Sequence, residues 1–144
     1  MPVAGIVNIN KESEYDVYIG RNTMVNSKWG NPYKVGIHYP RGKCIKKFEG
    51  ALLVKILRTK EITYEDLLSL SGKVLGCFCK PKPCHGDVIA RYVEYAETFT
   101  KAEFTKLCWE YAKQQQDAKI RLQLGLPTAK PQPMVIMDYK FGVD

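Results

Sequence analysis

Apolar positions along the chain fall into short segments of two different periods. Val3 to Asn10 is β-branched and apolar, and Tyr15 to Ile19 alternates. Both predict short strands, the second ended by Gly20 and Arg21. From Gly42 to Lys60 the period changes. Ile45, Phe48, Leu52, Leu53 and Ile56 recur at three- and four-residue steps, which predicts a helix. Thr63 ahead of Tyr64-Glu65-Asp66 is an N-cap with acids in the first turn. A short helix therefore runs to about Leu70, where Ser71-Gly72 stops it. Val74 to Cys79 is a continuous apolar run, as in a buried strand. After the loop from Lys80 to Cys84, His85-Gly86-Asp87 opens a helix to about Ala96, with Val88, Ile89, Tyr92 and Val93 as its core stripe. Thr100 with Glu103 makes a capping box. The helix that follows carries Phe104, Leu107 and Tyr111 and runs to Leu124, closed by Gly125 and Pro127. Its middle, Lys113 to Asp117, is polar all round and is expected to protrude or to pack on a partner.

Strands alternating with helices predict a small α/β single domain with a short, mostly parallel sheet flanked by helices. The domain covers residues 1–100, a C-terminal helix residues 101–126, and an extended tail or arm residues 127–144. Within that arm Met134 to Phe141 reads as a strand or docked segment. Asn22 to Pro40 has no periodic pattern and is a long loop, which in a small domain is usually functional or disordered. Its content, with Lys28, Trp29, Asn31 and Tyr33, is not that of a flexible linker.

Length and composition bound the class. The chain has 144 residues, 45% hydrophobic and 26% charged, enough apolar content to bury one core. No apolar run approaches the roughly 20 residues of a bilayer crossing. No basic patch followed by an apolar stretch marks a signal peptide. A cytoplasmic protein with no membrane partner is expected. The net charge of +7 is uneven, because residues 1–60 carry 11 Lys+Arg against 4 Asp+Glu. An anionic partner follows, either a nucleotide-like small molecule or nucleic acid, unless the surplus is only a solvated basic face.

Three of the five cysteines, Cys77, Cys79 and Cys84, fall close together, and His85 directly follows the last. An odd cysteine count without a secretion signal argues against a disulfide framework. Cys77 and Cys79 are two apart on a strand and point the same way. Cys84 and His85 sit at the strand-to-helix turn, the usual place for a ligand in α/β folds. Three chemistries fit. Zinc could be held by Cys77, Cys79, Cys84 and His85, although the spacing is unusual. Cys84 at a helix N-terminus, beside His85 and near Lys80 and Lys82, could be a thiolate nucleophile with His85 or Asp87 relaying a proton. The backbone N–H groups from Cys84 to Val88 could cradle a phosphate, with Gly86 allowing close approach. The plain structural alternative is that the strand cysteines fill the core.

The other motif is Gly20-Arg21 followed by Ser27-Lys28-Trp29-Gly30-Asn31-Pro32-Tyr33. Arg21 and Lys28 could hold phosphates, Trp29 or Tyr33 could stack on a ring, and Asn31 could read a base edge. The competing reading is a self-packed loop plugged by Trp29. YIGR, SKWGNPY and LGCFCKPKPCHGDVIARYV together resemble the domain-of-unknown-function family 4326, found largely in phages and bacteria. The CHGD-x-IA ending also resembles the C-terminal motif of uncharacterised family 488. The resemblance spans roughly Val7 to Glu97. The stretch Asn22 to Asn26 and residues 101–144 depart from it. It implies a phage or bacterial origin, hence the host cytoplasm if phage-encoded, and a compact α/β domain. It implies no activity.

Both motifs lie beside strand ends, so they are expected to line one pocket suited to a nucleotide or nucleoside phosphate. The candidate catalytic residues are Cys84, His85 and Asp87. The candidate ligand-binding residues are Gly20, Arg21, Ser27, Lys28, Trp29, Gly30, Asn31, Tyr33, Cys79 and Gly86. The leading expectation is a phage or bacterial enzyme of nucleotide metabolism or base modification, a transferase or hydrolase. The alternatives are a non-catalytic binder that sequesters a nucleotide signal, or a zinc-stabilised nucleic-acid-binding module. Residues 101–144 are expected to serve as a homo-oligomer contact or lid, with Trp109 as an anchor.

Overall fold

The computed structural model describes residues 2–12, 14–20, 28–33, 36–37 and 39–128. Three short strands form one parallel sheet: β1 (Gly5–Asn8), β2 (Val17–Tyr18) and β3 (Val74–Cys77). The order is β1-β3-β2, so the last strand in sequence is the central one. Its Leu75 and Cys77 are buried, as the continuous apolar run requires.

The chain passes from β1 to β2 across one face of β3, and Gly76 makes that crossing possible. A Cβ there would meet Ile9 Cγ2 at 2.7 Å and Tyr15 Cγ at 2.8 Å. Strand alternation turns Leu75 and Cys77 to the opposite face. On that face lies α3 (His85–Thr98). Its Gly86 sits close against the sheet, where a Cβ would meet Ile19 Cδ1 at 2.8 Å and Ile6 Cδ1 at 3.2 Å. Gly86 therefore serves helix–sheet packing. It does not line the pocket described below.

The remaining helices complete one core. They are α1 (Arg41–Leu57), α2 (Tyr64–Leu68), α4 (Lys101–Lys113) and α5 (Ala118–Leu124). α1 packs on α3, α4 and α5, and α3 also packs on α2 and α4. Thr100 forms the capping box expected with Glu103, and Thr63, expected as an N-cap, forms a capping box with Asp66. The apolar stripe of α1 buries Phe48, Leu52, Leu53 and Ile56.

Two expectations change at the C-terminal end. The single helix from Thr100 to Leu124 is two helices, broken at Gln114–Asp117. Asp117 caps α5 by accepting from the N–H groups of Lys119 and Ile120, and it pairs with Lys47 of α1. Buried Arg121 donates to the carbonyls of Lys113, Gln115 and Pro127, which satisfies acceptors that the break sets free. Nor are residues 101–126 an appendage, because Phe104, Cys108, Ala112, Ile120 and Leu124 belong to the same buried cluster as the sheet. Trp109 packs partly buried against that cluster. The segment from Met134 to Phe141 lies outside the described residues. Among those described, no helix is long and apolar enough to cross a membrane.

Candidate functional site

The carboxyl ends of β2 and β3, the start of α1 and the start of α3 surround a pocket of about 180 Å3. Both sequence motifs reach it. Gly20 follows β2, Asn31 and Tyr33 come from the WGNPY segment, Cys77, Phe78 and Cys79 end β3, and Cys84 and His85 open α3. Arg41 and Ile45 from the first turns of α1 complete the wall.

Local hydrogen bonds fix these walls. Asn31 is buried; its Oδ1 accepts from the Tyr33 N–H at 2.9 Å and its Nδ2 donates to the Cys44 carbonyl at 3.3 Å. The amide thus ties the loop to α1. Arg41 Nη1 donates to the Pro83 carbonyl at 3.0 Å, joining α1 to the Cys–His loop. Asn8, at the end of β1, donates to the carbonyls of Phe78 and Lys80 and holds the other side of that loop. The Lys47 ammonium lies 5.8 Å from the Tyr33 ring centroid and 4.8 Å from that of Tyr39, and the two rings are tilted against each other. Burial raises the Tyr33 phenol pKa.

His85 is nearly buried, with its ring edge-on to Phe48. Its Nε2 lies 2.7 Å from the Ile19 carbonyl oxygen. A carbonyl only accepts, so Nε2 carries the proton, and any proton transfer by this ring goes through Nδ1.

The two sulfurs of Cys77 and Cys84 are 3.6 Å apart. The hydrogen bond from Cys84 brings the Cys77 pKa down to about 6; burial opposes this, and the N–H groups of Cys79 and Lys80 assist it. The same contact, together with burial, pushes the Cys84 thiol up, because a second charge would face the first. Cys77, which receives the hydrogen bond, is favoured over the expected Cys84 as the first of this pair to ionise. Cys79 lines the same pocket and is partly exposed. All five cysteines are free thiols.

Several expected site residues are elsewhere. Trp29 is 8% exposed and packs in the core, so its ring is closed to stacking. Gly30 is buried beside it and does not line the pocket. Lys28 pairs with Asp66 at 2.9 Å, and its carbonyl accepts from Lys55. Asp87 faces away from His85's pocket. Its Oδ2 accepts the Cys84 N–H at 3.1 Å and its Oδ1 pairs with Lys80 at 2.7 Å. It lines a separate groove of about 760 Å3 between β1 and α3. A carboxylate already sits at the N-terminus of α3, which disfavours a phosphate there. Arg21 and Ser27 lie outside the described residues. Among the described residues no group of three or more His, Cys, Asp or Glu side chains is arranged to hold a metal ion. The zinc set of Cys77, Cys79, Cys84 and His85 is therefore not assembled.

Sequence reasoning missed Arg41 and Phe78. Arg41 followed the loop without any motif around it. Phe78 stands between two cysteines, and strand alternation turned it from their side. The strand ends at Cys77, however, and Phe78 lies at the pocket, 53% exposed and edge-on to Tyr18.

A pocket at the carboxyl ends of parallel strands, bordered by a helix start, is the ligand position of an α/β protein. The chain belongs to the family described as a domain of unknown function (DUF4326), whose model matches residues 7–95. It is similar to an uncharacterised 12.4 kDa protein of the nrdA–td intergenic region of Enterobacteria phage T4. The two are 43% identical over 86 residues, which covers 59% of this chain and 74% of the phage protein. No solved structure matches the chain.

Proposed function

We propose that this pocket binds a nucleoside phosphate and that Cys77 is the nucleophile of an enzyme acting on it. One observation carries the reading: two motifs far apart in sequence converge on a single pocket that combines a guanidinium, an exposed aromatic ring, an imidazole and a low-pKa thiol. The pocket volume of about 180 Å3 is below the roughly 300–1,000 Å3 that encloses a whole drug-sized ligand. It suits one ring, a base or a pentose, with the phosphate outside beside Arg41 and Phe78 stacked on the exposed face. The basic surplus of residues 1–60 favours the approach of such an anion.

Calorimetric titration of the reduced protein with nucleosides, nucleoside mono- and diphosphates and sugar phosphates tests this. A phosphate-bearing member should bind. Arg41→Ala should weaken it by about tenfold or more, since a hydrogen bond to a charged group contributes roughly 1.5–3 kcal/mol. Phe78→Ala should weaken it by a similar factor. Cys77→Ala should keep the affinity and abolish turnover. Binding that neither Arg41→Ala nor Phe78→Ala changes, or no binding across the panel, overturns the reading.

A further inference from the structure

We propose that Cys77 and Cys84 form a reversible dithiol–disulfide couple that exchanges with low-molecular-weight disulfides entering the pocket. The couple does not depend on the ligand proposed above, and its readout is covalent.

The geometry supports it at three points. First, the two sulfurs are 3.6 Å apart and each lines the pocket. A disulfide needs them at about 2.05 Å, so the sulfurs already stand in van der Waals contact and have one short approach to make. Second, the residues sit on different elements. Cys77 ends β3 and Cys84 is the N-cap of α3, so the bond would pin the helix start to the strand end across the Lys80–Pro83 turn. Third, the pair divides the labour of exchange. The attacking sulfur should be the one that ionises first, and the resolving sulfur should stand next to it as a thiol. Cys77, hydrogen-bonded by Cys84 and by backbone N–H groups, is the attacking member.

The reaction balances without a metal or cofactor. The Cys77 thiolate attacks one sulfur of R–S–S–R, forming a Cys77–S–S–R mixed disulfide and expelling R–S⁻, which takes up a proton. Cys84 then gives up its proton and attacks the Cys77 sulfur. This forms the Cys77–Cys84 bond and expels the second R–S⁻. Two protein thiols are oxidised, and one small disulfide is reduced to two thiols. Cys79 shares the pocket but has no sulfur contact comparable to the one between Cys77 and Cys84. Cys44 and Cys108 are buried to the same degree as Cys77 and Cys84 but lie outside the pocket lining, so they act as internal controls.

The test incubates the reduced full chain with oxidised glutathione, quenches with acid and maps peptides without reduction. The expected product has lost two hydrogens, carries no glutathione, joins the Cys77 and Cys84 peptides, and reverts with dithiothreitol. Cys84→Ser should instead accumulate one glutathione on Cys77, whereas Cys79→Ser should still form the joined peptides. A stable glutathione adduct on the unsubstituted chain without a Cys77–Cys84 link overturns the proposal. So does a link through Cys79, or five thiols left free. Should Cys84→Ser fail to fold, the unsubstituted chain and Cys79→Ser decide the question. Ligand binding is measured on reduced protein, so a failure here leaves the binding reading intact and the reverse holds, whereas five unreacted thiols would also count against Cys77 as the nucleophile.

Discussion

With the sulfurs of Cys77 and Cys84 3.6 Å apart, ionising one makes ionising the other harder. Which sulfur ionises first depends on where the hydrogen bonds point, and that is a three-dimensional property. The sequence therefore made the cysteine cluster visible but favoured Cys84, because a helix N-terminus was the only polarising feature that spacing could show. The loop motif followed the same logic. Trp29 and Lys28 carry the chemistry of a binding loop, yet one fills the core and the other pairs with Asp66. The convergence of the two motifs was legible because both flank strand ends. A prediction follows at this scale. The rate of Cys77 alkylation by iodoacetamide should rise with pH around a midpoint of about 6. Cys84→Ala removes the donor that stabilises the thiolate, so the midpoint should move up toward the ordinary thiol value near 8.5. Mass-spectrometric quantitation of the Cys77 peptide across pH reads this directly. A midpoint unmoved by Cys84→Ala would place the cause elsewhere.

At the level of elements, the helix starts were the most legible features, because Thr63 and Thr100 each announce a cap by a side chain that reaches its own backbone. The break between α4 and α5 was not. Gln114, Gln115 and Gln116 are good helix formers, and the one local signal is Asp117, which caps α5 with its own side chain. The stop comes from tertiary partners: Lys47 holds Asp117, and Arg121 takes the carbonyls of Lys113 and Gln115. Asp117 thus caps α5 and pairs across to α1 with one carboxylate. The hydrogen bond from Lys47 lowers its pKa below the usual aspartate value of 3.8. A depressed folded-state pKa contributes stability that is present above the unfolded value and lost as pH falls through the folded one. Asn caps a helix as well as Asp, so Asp117→Asn should lose only the pairing with Lys47 and cost at most about 1 kcal/mol at pH 7 by urea unfolding. Below about pH 4 the difference should shrink, because the unsubstituted carboxyl is then protonated as well. A constant difference down to pH 2 would contradict the role given to this pair.

For the whole molecule, the parallel α/β architecture was legible from the alternation of strand and helix periods. The sheet order was not, because the crossing between β1 and β2 depends on the close approach of Ile9 and Tyr15 to Gly76, a contact between distant residues that strand patterning does not show. The division into a domain and a C-terminal extension was misleading for a related reason. The family match ends at residue 95, before α4 begins, yet α4 and α5 close the core over α1 and α3. Phe104, Ile120 and Leu124 are each about 1% exposed. Burial of side chains of this size contributes roughly 1.5–3 kcal/mol apiece. Their combined loss is comparable to the whole net stability of a typical domain, about 5–15 kcal/mol. A chain cut after residue 100 should therefore lose cooperative thermal unfolding and expose Phe48 and Leu52 to hydrophobic dyes. A chain cut after residue 128 retains α4 and α5 and should keep a cooperative transition. Calorimetry of the two truncations beside the full chain distinguishes a shared core from an attached one. An intact transition in the shorter chain would show that residues 1–100 fold alone and that α4 and α5 only rest against them.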